Sequence, residues 1–180
     1  VSPLKEGDEL AAVFSLPAKR ADFPEETCVL TVTRGGMVKK SAISELPGPS
    51  AQTFVLARVN DGDALGWVAL TDGKKDILLA TSSGMAIRFK EDEVRAMGLI
   101  AAGVNGIKLD VGQEVIGAEV IPAQGEILFM GTDGKAKRVE PKEFPVQGRY
   151  GKGVIAWDLP RGVKLAGMAM GKGNWVATVH

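Results

Sequence analysis

The 180-residue sequence contains one cysteine, one histidine, one tyrosine and three tryptophans. A lone Cys28 closes no internal disulfide, and one Cys with one His cannot supply the ligand set of a structural zinc. The same scarcity removes Ser/His/Asp and Cys/His catalysis, because the sole imidazole belongs to the terminal residue, His180. Net charge is also missing. Lys plus Arg number 22 and Asp plus Glu 22, so the chain as a whole has no bulk attraction to a polyanion. Long apolar runs are absent: stretches such as "LIAA" fall far short of the roughly 20 residues that span a bilayer. The N-terminus has no basic segment followed by an apolar one, so the expectation is a cytoplasmic chain with no membrane partner. It starts at Val1 in mid-pattern, which marks it as an expected fragment of something longer. A nucleotide loop fails too. In "GMAMGKGN", Gly173 replaces the Ser or Thr that would hold magnesium, and no glycine lies five residues before Gly171.

Glycine and repetition are what the sequence does have. "VLTVTRGGMVKK" from Val29, "ILLATSSGMAIR" from Ile77 and "ILFMGTDGKAKR" from Ile127 superimpose without gaps, their starts 48 and 50 residues apart. In each, a Val/Ile/Thr-rich run reaches a turn glycine (Gly36, Gly84 or Gly134), and a second run ends in a cation, Lys40, Arg88 or Arg138. These are predicted hairpins. A glutamate and an apolar residue follow each one: Glu45-Leu46, Glu93-Val94, Glu143-Phe144. A second module alternates with the hairpins, with glycines at Gly7, Gly62, Gly112 and Gly162. No segment of 12 or more residues keeps a helical apolar period, and "EDEVRAMG" suffices for one turn at most.

The fold class is therefore all-β, in a single domain. It divides into a half unit over 1–24, complete units over 25–73, 74–123 and 124–173, and the start of a last strand, "NWVATVH", over 174–180. About four strands per 50 residues is the arithmetic of a propeller-like array, in which each small sheet buries its faces only against its neighbours. Cys28 is expected to behave as a small buried apolar residue, and Trp67, Trp157 and Trp175 to pack into the core.

The zero net charge conceals a division. Residues 1–126 carry 13 basic and 18 acidic side chains, and residues 127–180 carry 9 and 4. Lys40, Arg88 and Arg138 recur at one position of the unit, so they are expected to share one rim as a curved line of charge. Lys135, Lys137 and Lys142 add to it on the third unit. In "VQGRYGKGV", Val146 to Val154, glycines flank Arg149 and Lys152, so that backbone N–H groups and two cations could meet one phosphate. A recognition helix, a zinc finger and a basic zipper are all missing from the pattern. Any duplex contact should then read backbone and deformability rather than base sequence.

The pattern of an "ILxxTxxGxxxR" hairpin, "VQGR" or "VRxMG", a "GV" strand and a "GDxVxG" hairpin resembles the C-terminal domain of the A subunit of bacterial DNA gyrase and its relative topoisomerase IV. The resemblance covers essentially the whole chain, most clearly Cys28 to Met170. It implies a β-pinwheel of about four blades, a propeller-like disc whose blades exchange strands and whose rim binds and bends or wraps duplex DNA. "QGRYGKG", Gln147 to Gly153, is similar to the gyrase box, with Gly148 where a box usually has a basic residue and Tyr150 where it usually has glycine. The DNA-binding set expected from pattern and resemblance together is Gln147, Arg149, Lys152, Lys40, Arg88, Arg138, Lys135, Lys137 and Lys142. The family cleaves DNA through a tyrosine in a separate domain whose motif is absent here, so Tyr150 inherits no catalytic role. This segment is expected to be non-catalytic and to hold no cofactor. For the intact ATP-dependent type II topoisomerase, the resemblance implies ATP, magnesium, the rest of the gyrase A polypeptide and an ATPase subunit as partners. An alternative, motivated by the acidic N-terminal half and the near-neutral total, is a propeller-like protein-interaction scaffold without DNA affinity.

Overall fold

The computed structural model describes residues 6–13, 16, 22–48 and 53–172. Among them are eleven strands, three single 3-10 turns and no α-helix. Three hairpins form the frame: β1 (Cys28–Thr33) with β2 (Met37–Ala42), β4 (Asp76–Thr81) with β5 (Met85–Lys90), and β8 (Glu126–Gly131) with β9 (Ala136–Val139). Their turn glycines all have positive φ, as the repeat requires. In the first two, the hydroxyl of Thr33 or Thr81 accepts the amide of Met37 or Met85 at 3.1 and 3.2 Å, closing the turn from the side-chain level.

The second module returns to its own hairpin. β3 (Leu65–Thr71), β7 (Val115–Ile121) and β11 (Leu165–Gly171) pair antiparallel with β1, β4 and β8, each with a register shift near the turn end. Between hairpin and return strand, the chain makes a detour. After β5 it takes a 3-10 turn (Glu91–Glu93), crosses back to the preceding sheet and adds β6 (Val104–Asn105) beside β2. After β9 the same path runs through Pro141–Glu143 to β10 (Val154–Ile155), which pairs with β5. The sheets are therefore β3-β1-β2-β6, β10-β5-β4-β7 and β11-β8-β9. Each four-stranded sheet draws three strands from one unit and its fourth from the next, the strand exchange that the pinwheel resemblance implies.

Burial explains why the hairpin strands read as continuous apolar runs. Ile77 and Leu79 of β4 face Leu30, Val32 and Val38 of the first sheet, while Leu78 and Ala80 face Ile127, Phe129 and Leu165 of the third. A strand covered on both faces has no solvent side on which to alternate. The 3-10 turns seat Val94 and Phe144 in these cores and Leu46 in a smaller one with Val29 and Ile43, and Phe129 meets Phe144 edge-to-face at 6.0 Å. Cys28 is buried, and Trp67 and Trp157 pack on the two main cores as partly buried residues. The last expected strand, with Trp175, lies outside the described residues. Of the expected half unit, residues 6–13 form a turn at Gly7 and no strand.

The crossing strands approach their hosts closely. A Cβ on Gly103 (φ +100°) would sit 2.5 Å from the Val38 carbonyl oxygen, and one on Gly153 (φ +79°) would collide with the Ala86 carbonyl. Gly112 has a similar φ of +77° but open space around it. Gly112→Ala should therefore cost only the left-handed backbone penalty, about 1–2 kcal/mol. Gly153→Ala should cost that plus the displacement of β10, a further ~1–3 kcal/mol. Urea unfolding of the two variants side by side measures the difference.

Candidate nucleic-acid interface

In each four-stranded sheet, the return strand and the exchanged strand lie at opposite edges. β3, β7 and β11 pack against one another in succession along one side of the array. The other side is formed by β6, β10 and the connectors around them. Neighbouring connectors are hydrogen-bonded to each other: the Arg58 amide donates to Ala101 O at 3.3 Å, Lys108 to Gly151 O at 2.9 Å, and Tyr150 to Gly106 O at 2.9 Å. They are also tied to the hairpins, Met97 N–H donating to Lys40 O and Gln147 N–H to Arg88 O, both at 2.8 Å. The outer edge is one continuous ledge.

Lys40, Arg88 and Arg138 occupy equivalent positions, opposite Leu30, Leu78 and Leu128. They do not share a rim, and the expectation is corrected for the first two. Lys40 is 6% exposed, its ammonium donating to Glu91 O at 3.1 Å and facing the Glu91 carboxylate at 3.6 Å. The Arg88 guanidinium reaches the equivalent turn of the third unit, donating to Pro141 O at 3.0 Å and Phe144 O at 3.4 Å while pairing with Asp76 at 2.7 Å. Both cations sit on strands flanked by a crossing connector, with parallel bridges Lys40↔Ala96 and Arg88↔Val146. The connector stands between them and water. Only Arg138 is mostly exposed, paired with Glu126 at 3.2 Å.

Lys40 and Arg88, which clamp the incoming 3-10 turns, have a buried polar neighbourhood that the sequence did not announce. Glu91 is fully buried and accepts the Thr71 hydroxyl at 2.5 Å. Lys39, 1% exposed, spends its three ammonium hydrogens on Ser41 Oγ and Leu56 O at 2.6 Å and Leu99 O at 3.0 Å, and burial pushes its pKa down. In a "KK" pair at a strand end, two lysines read as solvated. Only the converging carbonyls of two connectors make room for them inside.

The glycine-rich loop is drawn into the same bracing. Arg149 donates its guanidinium to the Asn105 carbonyl on β6 and its amide to Glu93 Oε2 at 2.7 Å, and its buried Nε has no partner. Tyr150 takes φ +67° to complete the turn. Lys152 stays half exposed, its ammonium 2.8 and 3.1 Å from the two Asp110 oxygens. Gln147 is half-buried. Lys135 pairs with Asp133 at 3.1 Å and Lys142 with Glu140 at 2.5 Å, while Lys137 donates to Ala156 O at 2.9 Å. Six of the cations singled out in the sequence thus face a carboxylate, and Arg149 and Lys137 face carbonyls. Arg58 and Lys108, which the sequence pattern did not single out, are exposed and have no acidic partner among the described residues. No cluster of three or more His, Cys, Asp or Glu side chains placed to hold a metal occurs among the described residues, and no helix there is long and apolar enough to cross a membrane.

The buried and exposed pairs differ in their bearing on stability. Glu91→Ala leaves the Lys40 ammonium buried without its counter-charge and should cost about 3–5 kcal/mol. Arg138→Met removes an exposed pair and should change stability by less than about 1 kcal/mol. Urea titration checks both. Burial opposes charge on Asp76, but the ion pairs to Lys90 and Arg88 outweigh it and hold the carboxyl below its ordinary pKa. That contribution is complete above the ordinary carboxylate range and is lost as pH falls through the folded-state pKa. Asp76→Asn should therefore flatten the acid limb of a stability-versus-pH curve.

The sequence matches the family described as "DNA gyrase C-terminal domain, beta-propeller" over residues 29–65, 75–122 and 125–170, one segment per unit. It is 36% identical over 154 residues to the DNA gyrase A subunits of Salmonella typhimurium and Escherichia coli, covering 86% of this chain and 17% of each relative. The DNA gyrase A protein of Deinococcus deserti is 33% identical over 177 residues, covering 95% of this chain and 21% of that protein. The chain thus spans about a fifth of the length of these relatives. Among solved structures, the C-terminal domain of DNA topoisomerase IV superimposes with a TM-score of 0.77 at 28% identity, covering 84% of this chain and 48% of that one. The E. coli ParC C-terminal domain shares the fold at a TM-score of 0.64 and 19% identity, covering 82% of this chain and 63% of that one. With the turns of all three hairpins, the return strand β7, nearly all of β11 and both exchanged strands inside the matched segments, the chain belongs to the DNA gyrase C-terminal domain family of β-propellers.

Proposed function

We propose that this chain is a non-catalytic module that binds duplex DNA without sequence preference and directs its path for a gyrase-like type II topoisomerase. The observation that carries the reading is the outer ledge. Connectors hydrogen-bonded from unit to unit hold the Gln147–Gly153 loop and Lys152 on a surface that need not rearrange to meet a backbone. Pre-ordering of that kind lowers the cost of binding. Bending a duplex by 40–90° over 20–30 base pairs costs roughly 1–6 kcal/mol, which a few phosphate contacts can offset. With net charge zero, contacts are few and salt sensitivity should be shallow. The relatives being DNA gyrase A subunits supports the remainder of such a polypeptide and an ATPase subunit as partners, with ATP and magnesium serving the intact enzyme.

One set of observations favours the second reading, a protein-interaction scaffold: carboxylates neutralise six of the cations first assigned to DNA. A salt-titrated gel shift with a long linear duplex separates the two. Binding at about 50 mM salt, equal for unrelated sequences and declining with a log-log slope of about 0.9 per phosphate contact, is the expected result. No binding there overturns the DNA reading. Asp110→Asn frees Lys152 and deletes a negative charge, so it should tighten low-salt binding by up to about fivefold, the equivalent of a surface ion pair. Lys152→Ala should weaken binding on every sequence alike.

A further inference from the structure

We infer that the main phosphate contacts are made by Arg58 and Lys108, at a unit position that neither the hairpin cations nor the glycine-rich loop includes; this rests on the DNA reading above. Both residues lie four before a module glycine, Gly62 and Gly112, and so one 50-residue unit apart. The backbone of each is fixed to the outer ledge, its amide donating to a carbonyl of the next connector, Ala101 or Gly151. Each side chain is exposed, and neither forms an ion pair with an Asp or Glu among the described residues. Arg95, Arg161, Lys164 and Lys172 are exposed as well, without a carboxylate partner among the described residues, so what sets Arg58 and Lys108 apart is the amide tied to the neighbouring connector. Lys40 and Arg88 are turned inward, while Lys135, Arg138, Lys142 and Lys152 are already neutralised.

The position matters because a cation that must first leave a carboxylate delivers only part of its charge to a phosphate, whereas an unpaired one on an anchored backbone delivers all of it. In the third unit, the equivalent residue is Asp158, with the sign reversed. The unpaired grip therefore covers this one position in the first two units, and Asp158 repels the duplex at the equivalent position of the third. This gives the ledge a direction that the fold itself does not have.

The test is a salt titration of duplex affinity for the whole chain and three variants. Arg58→Gln with Lys108→Gln should lower the log-log salt slope by about 1.8, two contacts' worth. Lys135→Gln with Lys142→Gln, which removes the same number of cations from carboxylate pairs, should lower it by less than about 0.9. Asp158→Lys extends the row and should raise the slope by about 0.9. All of these sites are exposed, and unchanged thermal unfolding confirms that the fold is kept. If the wild type binds and the Arg58/Lys108 variant keeps the wild-type slope, this inference is overturned while the DNA reading stands. If the wild type binds no duplex, both fall.

Discussion

The architecture depends on one cation from each of the first two units reaching into the next. β6 and β10 are two residues long, too short to hold a place in a sheet by ladder hydrogen bonds alone. They stay because the connector that carries each is gripped before it crosses: Lys40 and Arg88 take the carbonyls of the incoming 3-10 turn, and glycines let the backbone pass close to the host strand. A guanidinium or ammonium is suited to this, since turn carbonyls have no helix to satisfy them and a buried donor with charge makes the stronger bond.

That arrangement uses up charge. Lys40, Arg88, Lys39 and Arg149 are all committed to bracing one unit against the next. Burying Lys40 with Glu91 contributes little net stability, because desolvation offsets most of the attraction. Its effect is on registry. A connector shifted by one residue would leave an ammonium and a carboxylate inside without partners. The electrostatics of the outer edge are consequently decided by which cations remain after the bracing is complete, and the sequence total of zero says nothing about that.

The three units have diverged at the positions that matter most. The clamp is a lysine with a buried glutamate in the first, an arginine with Asp76 in the second, and an exposed arginine in the third. The inner strand position that holds Lys39 in the first unit holds Ile87 in the second and the exposed Lys137 in the third. Equivalent backbone positions thus support different local chemistry, and properties of the array cannot be obtained by multiplying one unit by three.

Much of the fold was legible from residues alone. Gly36, Gly84 and Gly134 located the hairpin turns, the double-faced runs "ILLA" and "VLTV" located strands covered on both sides, and Glu45-Leu46, Glu93-Val94 and Glu143-Phe144 marked the short turns that seat an apolar anchor. These signals are local: φ, period and burial are set within a few residues. The destination of Val104-Asn105 and Val154-Ile155 is not local, because two residues carry no pairing information. The same holds for the direction of a long cation, which follows whatever carbonyls and carboxylates the neighbouring unit brings to it. Sequence therefore determined the strands, the turns and the family, while only the tertiary structure decided that Lys40 and Arg88 point inward and that Arg58 and Lys108 are left exposed, since a charge is buried or solvated according to the unit packed against it.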